Sequence, residues 1–439
     1  MMHTKRMSLL RNVGLILAAV FFFVSCEKPR QETDGYGKVM ILYSAGFNNL
    51  SADLAQNIID LEKGFVPDAK SRDVIAVVSR RTVRNQNNYT DETAPCLFRI
   101  YKRQNTVVRD TLFSMPAGTP LSGPDAMRRF LTKIRELFPA ESYGMIFASH
   151  STGWLPQGYY SNPSAYDRQS TRREARTALP GIALFPDGPE AGTLLTRSAG
   201  ADYYKQAGNS ATFSHEMDIT DMASAIPMHL DYLIFDSCLM GGVEVAYELK
   251  DVADMIGFSQ AEVLSAGMNY RTATEHLLKG IPDPAAVCRD YFDQYDRQSG
   301  IYRSATTALV NCRRLPELAA VCKPLFEKYG SEIRKLGKDD VQGFGGARKP
   351  WFFDLRDILE KAGAQEAELT ALDAALDDCL PYKAHTGQYY SMYASNAGAG
   401  VVPIHTFCGL SMYLPGAGSA YLDNFYKTLA WNRDSGLVR

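Results

Sequence analysis

Five short stretches of the chain are apolar almost throughout: KVMILYSAG (38–46), DVIAVVS (73–79), YGMIFASH (143–150), DYLIFDSC (231–238) and DMIGFSQ (254–260). Runs of this length, bounded by Gly, Ser or Asp, predict strands buried on both faces. Between them the apolar positions recur every three or four residues, as in LSADLAQNIIDLEKG after the first run and VEVAYELKDVA after the fourth. That spacing predicts amphipathic helices. Another helix is expected over 124–137, with Ser122 or Gly123 as its cap and Pro124 in its first turn. CLFRIYK and TVVRDTLF, separated by Arg103-Gln104-Asn105, predict a hairpin. Strand and helix alternating in this way predict βαβ units, hence an α/β fold with a mostly parallel sheet flanked by helices.

The rest of the chain is less regular. Helical stretches near 284–298, 315–335 and 352–380 alternate with strand-like TALVN and GLSMYLP. Residues 301–439 are therefore expected to form a C-terminal subdomain that continues the fold. The interval 155–213 is rich in Pro, Gly, Ser, Tyr and Arg and has no sustained apolar period. A stretch that long without periodicity is functional or disordered. At the N-terminus, Lys5, Arg6 and Arg11 precede VGLILAAVFFFV and Ser25-Cys26. This is the pattern of a secretory signal over 1–25, and the run is short for a membrane span. FVSC resembles a bacterial lipobox, with Phe23 where Leu is usual. That likeness implies lipidation at Cys26, a polar tether over 26–37, and an exported lipoprotein held at the membrane or cell surface.

Composition narrows the function classes. The 439 residues are 46% hydrophobic and 22% charged with a formal net charge of −2, so no basic field points to nucleic acid. No P-loop or glycine-rich dinucleotide turn is present, and no redox cofactor or nucleotide is expected. Cys96, Cys288, Cys312, Cys322, Cys379 and Cys408 are scattered, without CxxC or zinc-ligand spacing, and most of them are expected to be buried thiols.

Cys238 and His150 stand apart. In an open parallel sheet, catalytic groups gather beyond the carboxyl ends of the strands. His150 closes one predicted strand and Cys238 another, and each is followed by a glycine-containing turn, HSTGW and CLMGG. A thiol attacks a carbonyl as thiolate, or with a base taking its proton, and a histidine can do this and then protonate the leaving amine. Either residue alone reads as packing or a strand-end polar group. Together they read as a Cys–His dyad.

FASHSTGW followed by LIFDSCLMGGVEVAYEL resembles the clostripain-type cysteine peptidases of the caspase and gingipain clan. The family reads H-G-x-G-W and F-D-x-C-L-M-G in these places. Gly153, Trp154, Phe235, Asp236, Cys238, Leu239, Met240 and Gly241 match. ILYSAGFNNLSADLAQNI, GFSQAEV and CGLSMYLP extend the likeness from Lys38 onward. The resemblance implies a caspase-like peptidase domain over 38–300 that cleaves polypeptides after Arg or Lys. It implies an oxyanion hole built from the backbone N–H groups of Ser151 and Cys238. It also implies that Asp236 lies in the S1 pocket, where a carboxylate pairs with a basic side chain; capping the next helix or orienting the histidine are the alternatives for Asp236. Glu262 is expected to line S1 or to hold calcium, although no EF-hand-like loop supports a calcium site. Self-cleavage is expected in 155–213, which carries Arg168, Arg172, Arg173, Arg176, Arg197 and Lys205. Ser151 departs from the family, which has Gly there. The alternative reading is thus a catalytically inactive, lipid-anchored relative that acts as a surface binding protein. His215, His229, His276, His385 and His405 have no partner spacing and are expected to be structural.

Overall fold

The first apolar run folds as β1 (Tyr36–Gly46), buried from Val39 onward, in a computed structural model that describes residues 35–82, 93–169, 202–205 and 212–439. The chain continues through α1 (Ser51–Glu62), β2 (Val74–Arg81), the hairpin β3 (Cys96–Arg103) and β4 (Thr106–Ser114), α2 (Pro124–Leu137) and β5 (Ala140–Ala148). Next come α3 (Pro163–Gln169), β6 (Asp202–Lys205), β7 (Thr212–His215), α4 (Ile219–Ala225), β8 (Leu230–Asp236), α5 (Val243–Leu249) and β9 (Ala253–Phe258). Then follow α6 (Tyr270–Leu278), α7 (Pro284–Asp296), β10 (Thr306–Asn311), α8 (Leu315–Ile333), β11 (Phe353–Asp354), α9 (Leu355–Lys361) and α10 (Glu366–Cys379). The chain ends in β12 (Tyr382–His385), β13 (Gln388–Ser395), β14 (Gly398–Pro403), β15 (Ser411–Met412), α11 (Ala420–Tyr426) and α12 (Ala430–Ser435).

Nine strands form one sheet in the order β12-β10-β9-β8-β5-β1-β2-β3-β4. Its centre, β9-β8-β5-β1-β2, is parallel throughout. These strands are the continuous apolar runs, as burial on both faces requires. Both flanks are antiparallel. The edge strand β4 leaves most of its side chains at least partly exposed and carries Arg109 and Asp110, which blunts the edge against further pairing. Helix α6 packs against both α1 and α7, and α2, α4, α5, α12 and α8 pack each against the next in that order. The crossover from β1 runs to β2 on one side, whereas β5, β8 and β9 succeed one another on the other side. Right-handed crossovers in opposite directions put their helices on opposite faces. Among the described residues, no helix is long and apolar enough to cross a membrane.

Several expectations need correction. Strands β5 and β8 stop at Ala148 and Asp236, so His150 and Cys238 stand two residues beyond their strands instead of closing them. Of the two expected caps of α2, Gly123 is the N-cap, as expected, and only Ser122 is not, its hydroxyl donating to the His215 carbonyl at 2.7 Å. The stretch 352–380 breaks into α9 and α10 around Gly363. GLSMYLP supplies only the short β15, paired with β11 outside the main sheet. The start of the 155–213 interval is packed: Leu155, Tyr159 and Tyr160 are core residues, and α3 follows. Residues 1–34, with the signal and Cys26, lie outside the described residues, as do Arg172, Arg173, Arg176 and Arg197. Strand β10 and then β12 carry the central sheet past residue 300.

Candidate active site

Strand order reverses between β1 and β5, the place in such sheets where functional groups gather. Asn48 and Asn49 follow β1 at this edge, and Ser149 and His150 follow β5. Cys238 follows β8, the other neighbour of β5. Register sets their level, because Ala148 pairs with Asp236 and His150 and Cys238 each lie two residues past that pair. Adjacent strands are about 4.8 Å apart. Imidazole and thiol therefore arise side by side on one sheet edge.

The turns that carry them touch. Gly153 has φ +62°, and a Cβ there would stand 2.5 Å from the Leu239 carbonyl oxygen and 2.6 Å from the Phe352 ring. Leu239, directly after the thiol, is itself left-handed at φ +61°. That conformation costs a non-glycine residue about 1–2 kcal/mol. Two bonds to the chain after β9 hold it: Leu239 N–H to Ala261 O at 3.1 Å and Gly241 N–H to Ser259 O at 2.8 Å. Ser151 is not among the left-handed residues, and its hydroxyl donates to the His150 carbonyl at 2.8 Å. The glycine-like freedom of this turn is used at Gly153, two residues on.

His150, Cys238, Asp236 and Glu262 are all essentially inaccessible, and Ser151 is buried. The Cys238 Sγ accepts the Val263 N–H at 3.1 Å and donates to the Val263 carbonyl at 3.8 Å. His150 Nε2 lies 2.6 Å from Asn49 Oδ1, and its ring stacks on Tyr203. Asp236 accepts the Tyr270 hydroxyl at 2.6 Å. It does not cap the following helix, whose N-cap is Gly242. Glu262 accepts the Ser391 hydroxyl and the Met392 N–H. Burial drives the Tyr160 hydroxyl well above its ordinary pKa, with Glu262, Tyr393 and Cys238 adding to the effect, so this phenol is within electrostatic reach of the thiol. Lys349 donates to the Tyr160 carbonyl and sits 4.4 Å from the Tyr160 ring centroid and 5.0 Å from that of Tyr393. Desolvation pulls this lysine down to about 8, with Glu262 opposing.

The remaining candidates have other partners. His229 pairs with Asp254 at 3.3 Å and His276 with Asp290 at 2.9 Å. His385 Nδ1 accepts the Gly387 N–H, and the His405 N–H goes to Gln342. The His215 carbonyl receives the Ser122 bond already described. The other six cysteines are free thiols. Burial pushes Cys288 and Cys379 up to about 12, which leaves them protonated and inert near neutral pH. Asn49, Tyr160, Tyr203 and Lys349 escaped the sequence reading. The strand-edge rule that found His150 also reaches Asn49, three residues past β1.

The Clostripain family (Peptidase C11) matches residues 207–344. That segment is similar to clostripain-family sequence. The match takes in the Cys238 turn and ends before β11. Among solved structures, the chain is similar to an inactive zymogen C11 protease from Parabacteroides distasonis at TM-score 0.70 and 23% identity, covering 92% of this chain and 99% of that one. It is also similar to a secreted C11 cysteine protease from Bacteroides thetaiotaomicron, "iotapain", at TM-score 0.68 and 21% identity, covering 92% and 100%. A secreted C11 cysteine protease from Bacteroides thetaiotaomicron in complex with an irreversible peptide inhibitor aligns at TM-score 0.68 and 20% identity, covering 91% and 99%. The fold is thus that of the C11 cysteine proteases. No curated protein matches the chain.

Proposed function

We propose that this chain is a cysteine endopeptidase that cleaves after Arg or Lys through Cys238 and His150. The observation that carries the reading is the Ala148–Asp236 register, from which His150 and Cys238 each lie two residues on, past the ends of neighbouring strands. In the proposed cycle His150 takes the thiol proton as Sγ attacks the scissile carbonyl carbon. The tetrahedral oxyanion is held by the backbone N–H groups of Ser151 and Cys238. His150 then protonates the departing amine, and water, deprotonated by the same imidazole, hydrolyses the thioester. Asp236 supplies the charge that selects a basic side chain; its burial supports this role, because a carboxylate shielded from water discriminates more strongly. No cofactor enters the scheme, and the O–H and N–H donors on Glu262 do not favour a calcium ion there.

Maturation and location belong to the same proposal. The basic interval between His150 and Cys238 is an Arg/Lys-rich substrate in cis, so self-cleavage there gives two chains held by the shared sheet. Cys26 anchors the protein, exported, to a membrane. The test is turnover of a fluorogenic Arg peptide by the wild type and by Cys238→Ala, with a denaturing gel of each. Turnover and two bands for the wild type, against none and one band for the variant, fit the proposal. A folded wild type that turns over no Arg or Lys peptide assigns the chain to the inactive surface-binding reading.

A further inference from the structure

The imidazole of His150 is gripped on two sides by residues that the motif reading leaves out. Asn49 Oδ1 stands 2.6 Å from Nε2, and the Tyr203 ring lies nearly parallel to the imidazole, 13° between planes and 5.5 Å between centroids. We propose that Asn49 and Tyr203 are positioning residues for the base: Asn49 sets its tautomer and Tyr203 sets its plane. This rests on the reading of His150 as the base for Cys238.

Both residues are themselves fixed. Asn48 donates to Ala45 O at 3.0 Å and accepts the Leu50 N–H at 2.9 Å, closing the turn that presents Asn49. The Ser149 hydroxyl donates to the same Ala45 carbonyl at 2.8 Å and ties the ends of β1 and β5 together one residue before His150. With an amide oxygen as partner, Nε2 carries the proton and Nδ1 keeps the lone pair. A neutral carboxamide does this without adding a charge that would trap the imidazolium.

Tyr203 is delivered by a buried anchor. Its N–H donates to Phe47 O at 2.7 Å. Its neighbour Asp202 forms a buried ion pair with Arg80 at 2.7 Å, and the Arg80 guanidinium lies 3.9 Å from the Phe47 ring centroid. Asp202 also receives the Leu121 N–H, and its own N–H donates to Ser122 Oγ at 3.2 Å. The anchor thus spans β2, the approach to α2, and β6. In the sequence, Tyr203 lies beyond the arginine cluster of the basic interval and His150 before it. A cut at that cluster leaves the imidazole on one chain and its stacking partner on the other.

The experiment compares pH profiles of kcat and KM on a fluorogenic Arg peptide for the full-length wild type, Asn49→Ala, Asn49→Asp, Tyr203→Ala and Tyr203→Phe, with His150→Ala as reference. Alkylation of Cys238 by iodoacetamide is followed alongside. Asn49→Ala and Tyr203→Ala should lower kcat by about 10- to 100-fold with KM within about twofold, as expected for a misaligned base. Asn49→Asp keeps the acceptor and adds a charge, so it should stay active and move the acidic limb of kcat/KM to higher pH by about one unit. Tyr203→Phe keeps the stack and should retain wild-type turnover. Should the alanine variants fail to fold, Asn49→Asp decides for Asn49, and Tyr203→Leu, which keeps an apolar side chain but removes the ring plane and should lower kcat by about 10-fold, decides for Tyr203. An unmoved acidic limb in Asn49→Asp, or wild-type kcat in folded alanine variants while His150→Ala is inactive, overturns the positioning roles and leaves the dyad standing. Full activity in His150→Ala overturns the dyad itself.

Discussion

Replacing Gly153 with alanine tests how tightly the His150 turn and the Cys238 turn are fitted together. The first contribution is conformational: at φ +62° an alanine costs about 1 kcal/mol relative to glycine. The second is steric. The new Cβ would lie 2.5 Å from the Leu239 oxygen and 2.6 Å from the Phe352 ring, distances that real Cβ atoms do not tolerate. The Leu239 oxygen belongs to backbone pinned by the bonds to Ala261 and Ser259, so it cannot swing aside as a side chain would. Overpacking of this kind costs about 1–3 kcal/mol. The sum, about 2–4 kcal/mol, leaves a protein of ordinary stability folded but weakened. Relief requires the two turns to separate, and a shift of about 1 Å between base and nucleophile can cost about 100-fold in rate. Gly363→Ala is the control, because Gly363 has φ +93° with no atom within 4 Å of the added carbon. The assay is urea unfolding of both variants together with kcat on an Arg peptide. Gly363→Ala should lose about 1 kcal/mol and keep its kcat. Gly153→Ala should lose more stability and most of its turnover. Equal stability losses with unchanged kcat in both variants would refute the fit described here.

Other perturbations probe separate parts of the account. Asp236→Asn should abolish the preference for basic P1 residues while leaving the fold intact, and an unchanged ranking of Arg, Lys and neutral peptides would remove Asp236 from the pocket. Burial pushes the Glu244 carboxyl, which accepts the Tyr413 N–H and the Tyr426 hydroxyl, up to about 7. An acid raised in the folded state costs stability progressively as pH climbs from its unfolded value to its folded one, here by about 3 kcal/mol in full. The stability of Glu244→Gln relative to wild type should therefore rise between pH 4 and pH 8, and a pH-independent difference would contradict the burial argument. Cys26→Ser should shift the protein out of the membrane fraction or block its maturation, whereas unchanged partitioning with normal processing would count against lipidation.

Much of the architecture could be read from the residues because burial on two faces leaves a one-dimensional trace. The five apolar runs became the five parallel strands, and α2 spans 124–137 as its Pro124 and apolar spacing indicated. Gln104 and Asn105 both take positive φ in the hairpin turn, as a tight turn demands. Direction of pairing leaves no such trace, which is why β10 and β12 read as strands of unknown orientation. A lone Gly363 inside a helical spacing looks tolerable in sequence and in fact ends α9. At the site, the strand-edge rule was enough to place His150 and Cys238 beyond the ends of neighbouring strands, at the level that the register sets. Asn49 was hidden because GFNNLS reads as an ordinary helix entry, and nothing local distinguishes an asparagine that caps from one that holds an imidazole. Tyr203 was hidden for a different reason: its position depends on the distant Arg80–Asp202 pair, which no periodicity within 155–213 announces.

The central claim, that Cys238 is a nucleophile served by His150, is tested most directly by covalent capture. The protein is treated with a peptidyl ketone carrying Arg next to a leaving group at the attacked carbon, and the adduct is located by mass spectrometry. The account predicts one adduct, on Cys238, formed at least about 100-fold more slowly in His150→Ala. An adduct on another cysteine, or capture at the wild-type rate in His150→Ala, would contradict it.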